Sequence, residues 1–259
     1  MTDEPLGKMR CVISVSSTRR RQMKVFLINL DRNAGRLEAV SKRLADRGVA
    51  FERFPAVDGR ALDPKERRRC YSPLRTAFVR GHGLLPGELG CALSHLGVYR
   101  KIVADGLDVA CVLEDDAFPE PEFAEALARL EAQLDVRRAR VVLLAPVTYH
   151  RETPPPAPGI QRLMDGSFAD AYVITRPAAE AILRMNLPVR CTCDRWGYLS
   201  RHARFELFRL LPPVSHQDST DFGTDVAGPK PTWVGTWRRK LWRAFGKTAD
   251  WFLWKVTGK

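Results

Sequence analysis

Apolar positions along the chain follow two patterns. Residues 24–30 (KVFLINL), 51–57, 109–113, 140–145 (RVVLLA), 170–175 (DAYVIT) and 205–211 are short runs rich in aliphatic and aromatic side chains, as strands covered on both faces require. Between them the spacing lengthens to three and four. Leu37, Val40 and Leu44 precede Gly48, and Leu89, Leu93, Leu96, Tyr99, Ile102 and Val103 precede Asp105 and Gly106. Helices are predicted there and again over residues 119–134, 177–185 and 192–201, with proline in the first turn of the segment at 177. Residues 62–86, charged and interrupted by Gly and Pro, predict a short helix and a mobile loop over the sheet edge; residues 153–159, with four prolines, predict a loop. The exchange of strand and helix predicts an α/β domain with a mostly parallel central sheet and helices on both faces.

Residues 87–116 concentrate the candidate chemistry. An amphipathic helix carrying Ser94 and His95 runs into a buried strand, and Glu114, Asp115 and Asp116 follow at its carboxyl end. That edge of an open α/β sheet is where ligands bind. Three adjacent carboxylates repel unless a cation or several donors neutralise them. One reading is a Mg²⁺ or Mn²⁺ site, since these ions take oxygen ligands and share them with substrate phosphates. The other is a solvated acidic turn in which Asp116 caps the helix that follows. Arg32 and Arg36 lie four apart at the start of the first helix and share a face, where they either hold a diphosphate or are ordinary surface charge. His95 reads equally as a hydrogen-bonded core histidine, and Asp58 with Gly59 as a simple turn. No GxGxxG is present, so a dinucleotide site is not supported.

The formal charge of +12 changes the picture only at the ends. Residues 1–23 carry five Lys/Arg against two Asp/Glu and residues 230–259 carry eight against one, which leaves +2 for residues 24–229. A near-neutral body argues against a nucleic-acid-binding protein. The chain divides into a disordered N-terminal extension (1–23), with no apolar core of a secretory signal, a domain over 24–229, and a tail over 230–259. In the tail Trp233, Trp237, Leu241, Phe252 and Val256 approximate one helical face, with Arg238, Arg239, Lys240, Arg243 and Lys247 elsewhere. A basic, Trp-rich amphipathic helix suits an anionic membrane surface; a helix docked on the body and a nucleic-acid arm are the other readings. Six cysteines without repeated spacing behave as small hydrophobes in a reducing compartment. Cys191 and Cys193 form half of a metal motif, but the sequence offers no second pair, which argues against zinc.

Four ordered blocks, INLDRNAGR (28–36), FPAVDGR (54–60), LPGELGCALSHLGVYRKIV (85–103) and VLEDDAF (112–118), resemble the family 25 glycosyltransferases of bacterial lipooligosaccharide synthesis. ADAYVITRPAAEAIL (169–183) is similar to a further block of that family. The resemblance implies a GT-A-like, Rossmann-type nucleotide-sugar-binding fold over residues 24–229. It implies transfer of a sugar, galactose in the best-known members, from a UDP-sugar to a lipid-linked or lipooligosaccharide acceptor at the inner face of the cytoplasmic membrane, and an inverting reaction is the expectation. Glu114, Asp115 and Asp116 then carry Mn²⁺ or Mg²⁺, with His216 as a late ligand. Asn29, Arg32, Arg36, Asp58, Ser94, His95 and Asp115 line the donor site, and the general base is Asp194 or, second, Glu88. A catalytically inactive sugar-nucleotide-binding or scaffold protein of the same fold is the alternative. Deleting residues 230–259 should release the protein from anionic vesicles while sparing activity on a soluble acceptor; binding retained by the truncated chain overturns the anchor.

Overall fold

The computed structural model describes residues 23–147 and 157–218. The tail reading and most of the N-terminal extension lie outside them. The strands are β1 (Lys24–Asn29), β2 (Glu52–Pro55), β3 (Val109–Glu114), β4 (Ala117–Pro119), β5 (Arg140–Leu143), β6 (Gly159–Leu163), β7 (Ala171–Thr175), β8 (Glu206–Leu211) and β9 (Ser215–Gln217). The helices are α1 (Ala34–Asp46), α2 (Pro64–Cys70), α3 (Pro73–Arg80), α4 (Pro86–Ala104), α5 (Phe123–Gln133), α6 (Arg176–Asn186) and α7 (Trp196–Ala203). No helix among the described residues is long and apolar enough to cross a membrane.

Seven strands form one sheet in the order β2-β1-β3-β7-β5-β8-β6, and β4 pairs with β9 in a separate ribbon. The strand period of two sorts β1 between the faces. Phe26 and Ile28 enter a core with α4, α6 and α7, while Val25 and Leu27 enter a second core with α1 and α5. Helices thus cover both faces, as expected. The expectation of a mostly parallel sheet is corrected: β1 runs parallel to β2 and β3, and β5 to β8, but β7 is antiparallel to both neighbours and β6 to β8. Parallel neighbours need a long crossover, usually a helix. Between β5 and β7 the described residues contain β6 and no helix, so the chain re-enters the sheet reversed.

Local departures have similar causes. The expected loop within residues 62–86 is ordered as α2 and α3, each opening with proline in its first turn, where the ring replaces an amide that has no helical partner. Helix α5 starts later than predicted because Ala117–Pro119 pairs with Ser215–Gln217 first. Helix α4 is not amphipathic: Leu89, Ala92, Leu93, Ser94, His95 and Leu96 are all buried, as expected for a helix enclosed by sheet, α6 and loops. Its N-terminus is fixed by Glu88, whose Oε2 accepts the Leu85 amide at 2.7 Å.

One joint in this frame is made of backbone alone. A Cβ on Gly90 of α4 would lie 2.4 Å from the Val57 carbonyl oxygen and 2.6 Å from the Gly59 nitrogen, and one on Gly59 would meet the Pro86 carbonyl oxygen. Two glycines therefore let the loop after β2 rest directly on the helix. Gly90→Ala should cost about 1–3 kcal/mol through overpacking, read as a lower midpoint in urea unfolding. Unchanged stability would show that the loop does not press on α4.

Candidate active site

The carboxyl ends of β1, β2 and β3 open on a cleft of about 420 Å³. Its floor is Asn29, Glu114, Asp115 and Asp116, and Gln217 and Asp218 border it from the β9 side. Both oxygens of Asp115 accept a hydrogen bond: Asn29 Nδ2 donates to its Oδ2 at 2.8 Å and Arg36 Nη1 to its Oδ1 at 3.2 Å. Asn29 is itself held by Arg53, whose Nε donates to its Oδ1 at 3.1 Å. Asp116 differs. Gln217 Nε2 donates to its Oδ2 at 2.8 Å, but its Oδ1 is buried without a hydrogen-bond partner. Burial, with Glu114 and Asp115 adding repulsion, pushes the Asp116 carboxyl up to about 7. An oxygen that has lost water and gained no donor calls for a proton or a cation.

The cleft walls come from the turns after β1 and β2. Arg32 of one ion-pairs with Asp58 of the other across the opening, and Asp58 Oδ1 also accepts the Arg60 amide at 3.0 Å. Ser94 lines the cleft but its hydroxyl is spent on structure: it accepts the Val57 amide at 2.8 Å and donates to the Gly90 carbonyl at 2.7 Å. The Ser94 hydroxyl thereby clamps the backbone contact at Gly59 and Gly90.

A second pocket of about 170 Å³ adjoins the first and shares Cys91, Glu114 and Gln217 with it. Asp194 and Glu88 both line this pocket. Asp194 is exposed, in the turn before α7, whereas Glu88 has both oxygens occupied, by the Leu85 amide and by Arg80 Nη2 at 2.8 Å. The pocket also contains a carboxylate that sequence reasoning did not select. Asp170 precedes β7, which runs antiparallel to β3, so its carbonyl accepts the Glu114 amide at 2.8 Å and its side chain stands beside the acidic cluster. Asp170 is buried with Oδ2 unpartnered, and burial together with Glu114 and Asp116 pushes it up to about 7. Ionising Asp116 and Asp170 costs stability, a cost absent below the ordinary carboxylate range that grows from there as pH rises towards 7.

The two histidines selected from the sequence, His95 and His216, stand apart from the cleft lining. His95 is buried behind Glu114, with Nε2 at 3.0 Å from Glu114 Oε1 and Nδ1 at 2.6 Å from the Tyr172 hydroxyl. Burial disfavours its charged form, but hydrogen bonds and charge from Cys91 and Glu114 outweigh that and raise it to about 10. His216 stacks on Phe118 at 4.5 Å between ring centroids and contacts Glu120 at 2.8 Å, lining neither pocket. Neighbours on a strand point to opposite sides, so it is Gln217 that reaches Asp116. Gln217 lies in a three-residue strand too short to show a period, and only the pairing of β4 with β9 would have revealed it.

Residues 22–149 match the family model described as Glycosyltransferase family 25 (LPS biosynthesis protein). Among curated proteins, the chain is 35% identical over 125 residues to the Putative glycosyltransferase R655 of Acanthamoeba polyphaga mimivirus, covering 47% of this chain and 37% of that protein. It is 29% identical over 170 residues to Procollagen galactosyltransferase 1 of Danio rerio, covering 62% of this chain and 28% of that one. It is 33% identical over 110 residues to the Inactive glycosyltransferase 25 family member 3 of Mus musculus, covering 41% and 19%. The chain thus spans well under two thirds of the length of these relatives. The matched segment holds β1, β2, α4, β3 and the acidic cluster, and through residues 22–149 the chain belongs to glycosyltransferase family 25.

Proposed function

We propose that the chain is an active, inverting glycosyltransferase that moves a sugar, galactose first among candidates, from a UDP-sugar to a saccharide hydroxyl. The observation that carries this reading is the unpartnered Asp116 Oδ1 on the floor of an arginine-walled cleft, next to a second pocket with an unpartnered Asp170 Oδ2. The galactosyltransferase name of a relative supports the donor, and the family description supports a lipopolysaccharide-type acceptor. Peripheral contact with a cytoplasmic membrane surface through residues 230–259 belongs to the same proposal.

In this reading Arg32 and Arg36 meet the donor diphosphate through charge-assisted hydrogen bonds. Asn29 keeps Asp115 oriented and Ser94 keeps the Asp58 loop in place. The orphaned Asp116 oxygen fits a hard divalent cation, with Asp115 beside it; Mn²⁺ or Mg²⁺, when bound, supplies a Lewis acid towards the leaving diphosphate. The second pocket receives the acceptor. Asp170 takes the acceptor hydroxyl's proton at Oδ2 as that oxygen attacks the anomeric carbon and UDP departs; its raised pKa suits a base near neutral pH. Asp194 is the alternative base, and Glu88, bound on both oxygens, positions α4 instead.

Asp116→Asn should fold normally and lose transfer by about 10²-fold or more, measured by UDP release with UDP-galactose, Mn²⁺ and an acceptor. Full activity in that variant removes the metal assignment. Because Asp116 ionises only as pH approaches 7, the rise in melting temperature given by Mn²⁺ with UDP should be larger at pH 8 than at pH 6, and DNA or RNA should give none.

Asp170→Asn should retain that thermal shift yet lose about 10²–10⁴-fold in transfer, with Asp194→Asn much less affected. The reverse order returns the base to Asp194. Donor binding by the wild type without transfer or hydrolysis of any UDP-sugar would assign the inactive, sugar-nucleotide-binding alternative.

A further inference from the structure

Four potential ligand atoms meet behind the acidic cluster, from segments far apart in sequence. Cys91 and His95 lie one turn apart on α4, Glu114 ends β3, and Cys193 precedes α7. Their Sγ, imidazole nitrogen, carboxylate oxygen and Sγ all fall within 4.8 Å of one another. We propose that they form a binding site for a thiophilic divalent ion of the Zn²⁺ class, separate from any donor-side Mn²⁺ or Mg²⁺.

The distances carry this. A tetrahedral zinc with bonds of about 2.3 Å to sulfur and about 2.0–2.1 Å to nitrogen and oxygen sets sulfur to sulfur at about 3.8 Å, sulfur to oxygen at about 3.6 Å and nitrogen to oxygen at about 3.4 Å. The corresponding separations are 3.3 Å for Cys91 to Cys193, 3.8 Å for Cys91 to Glu114 and 3.0 Å for His95 to Glu114. Rotations of a few tenths of an ångström convert this cluster into a coordination shell. Softness agrees as well, since two thiols and an imidazole select zinc over Mg²⁺ or Mn²⁺.

The surroundings supply what a metal histidine requires. Its second nitrogen faces the Tyr172 hydroxyl at 2.6 Å, which in turn meets the Tyr99 hydroxyl at 2.7 Å. With Nδ1–H donated to Tyr172, the Nε2 lone pair is presented to the cluster. Cys91 and Glu114 line both pockets, which gives an ion a route in. Binding of Zn²⁺ displaces the protons held by the two thiols and by His95 Nε2, and ties α4, the end of β3 and the turn before α7 into one unit. Glu114 then belongs to this ion, and the donor-side ion is left with Asp115 and Asp116.

The site also corrects the argument against zinc made from the cysteine spacing. Cys193 is a ligand with Cys91 and without Cys191, whose thiol contacts Asn186. The second thiol is 102 positions away, beyond any motif search.

The test is metal analysis of the full chain purified without chelator, followed by replacement with Co²⁺. About one zinc per chain is expected. The cobalt form should show a thiolate charge-transfer band and the intense visible bands of tetrahedral coordination. Cys193→Ser and His95→Gln should each weaken cobalt binding tenfold or more. Asp116→Asn should leave the cobalt spectrum unchanged, which separates this site from the donor-side ion whether or not transfer is ever detected. Wild-type protein that is folded but takes up neither metal overturns the proposal, independently of how the variants fold. So do an octahedral, sulfur-free cobalt spectrum, equal binding by Cys193→Ser, and a Cys91–Cys193 disulfide found by mass spectrometry.

Discussion

Charges of one sign cannot be crowded at the end of a hydrophobic sheet without partners, and the carboxyl edge of this sheet gathers Glu114, Asp115, Asp116 and Asp170. They meet three different fates. Asp115 is satisfied by Asn29 and Arg36, Glu114 faces His95, and Asp116 and Asp170 each retain a buried oxygen with no donor. The desolvation that a folded chain normally avoids is here maintained at two points, one in each pocket. In the proposed function a cation would relieve the first of these points and a proton taken from the acceptor the second.

The frame that holds this edge together is α4. An ordinary surface helix shows a single apolar stripe, and this one is covered nearly all round. It meets β1, β2 and β3 on the sheet side and α6 on the other. Its Ser94 and Gly90 fix the loop after β2, its Glu88, paired with Arg80 of α3, borders the second pocket, and its Cys91 reaches both pockets. A rotation of α4 would therefore disturb both pockets together.

Much of this was legible in the sequence because it is local. The apolar runs of β1 and β3, the three-four spacing of α4 and the Glu-Asp-Asp cluster each lie within one window, and each stands where the pattern put it. The features that were missed depend on pairing across the chain. Asp170 matters because β7 is reversed, and nothing in DAYVIT encodes direction. Gln217 replaces His216 at Asp116 because of the register of a three-residue ribbon. The thiols of Cys91 and Cys193 meet only once α4 and the turn before α7 are packed on the same core. Ser94 and His95 were read as donor-site residues, and of the two only Ser94 lines the cleft; their partners were not visible in the sequence, a backbone amide for one, a tyrosine pair and a carboxylate for the other.

The contact of Gly59 with Gly90 sets a limit on how the cleft can change. Side-chain joints are tuned by exchanging one residue for a slightly larger or smaller one, but this joint consists of peptide groups and has nothing to trim. The floor-to-loop spacing on that side is consequently a fixed gauge. Variation in the size of whatever the cleft binds must be accommodated from the opposite side, by the turn carrying Arg32 and Asn33 or by the segment bearing Gln217 and Asp218. Attempts to re-size the pocket have those two borders to work with, and the α4 wall serves as their reference.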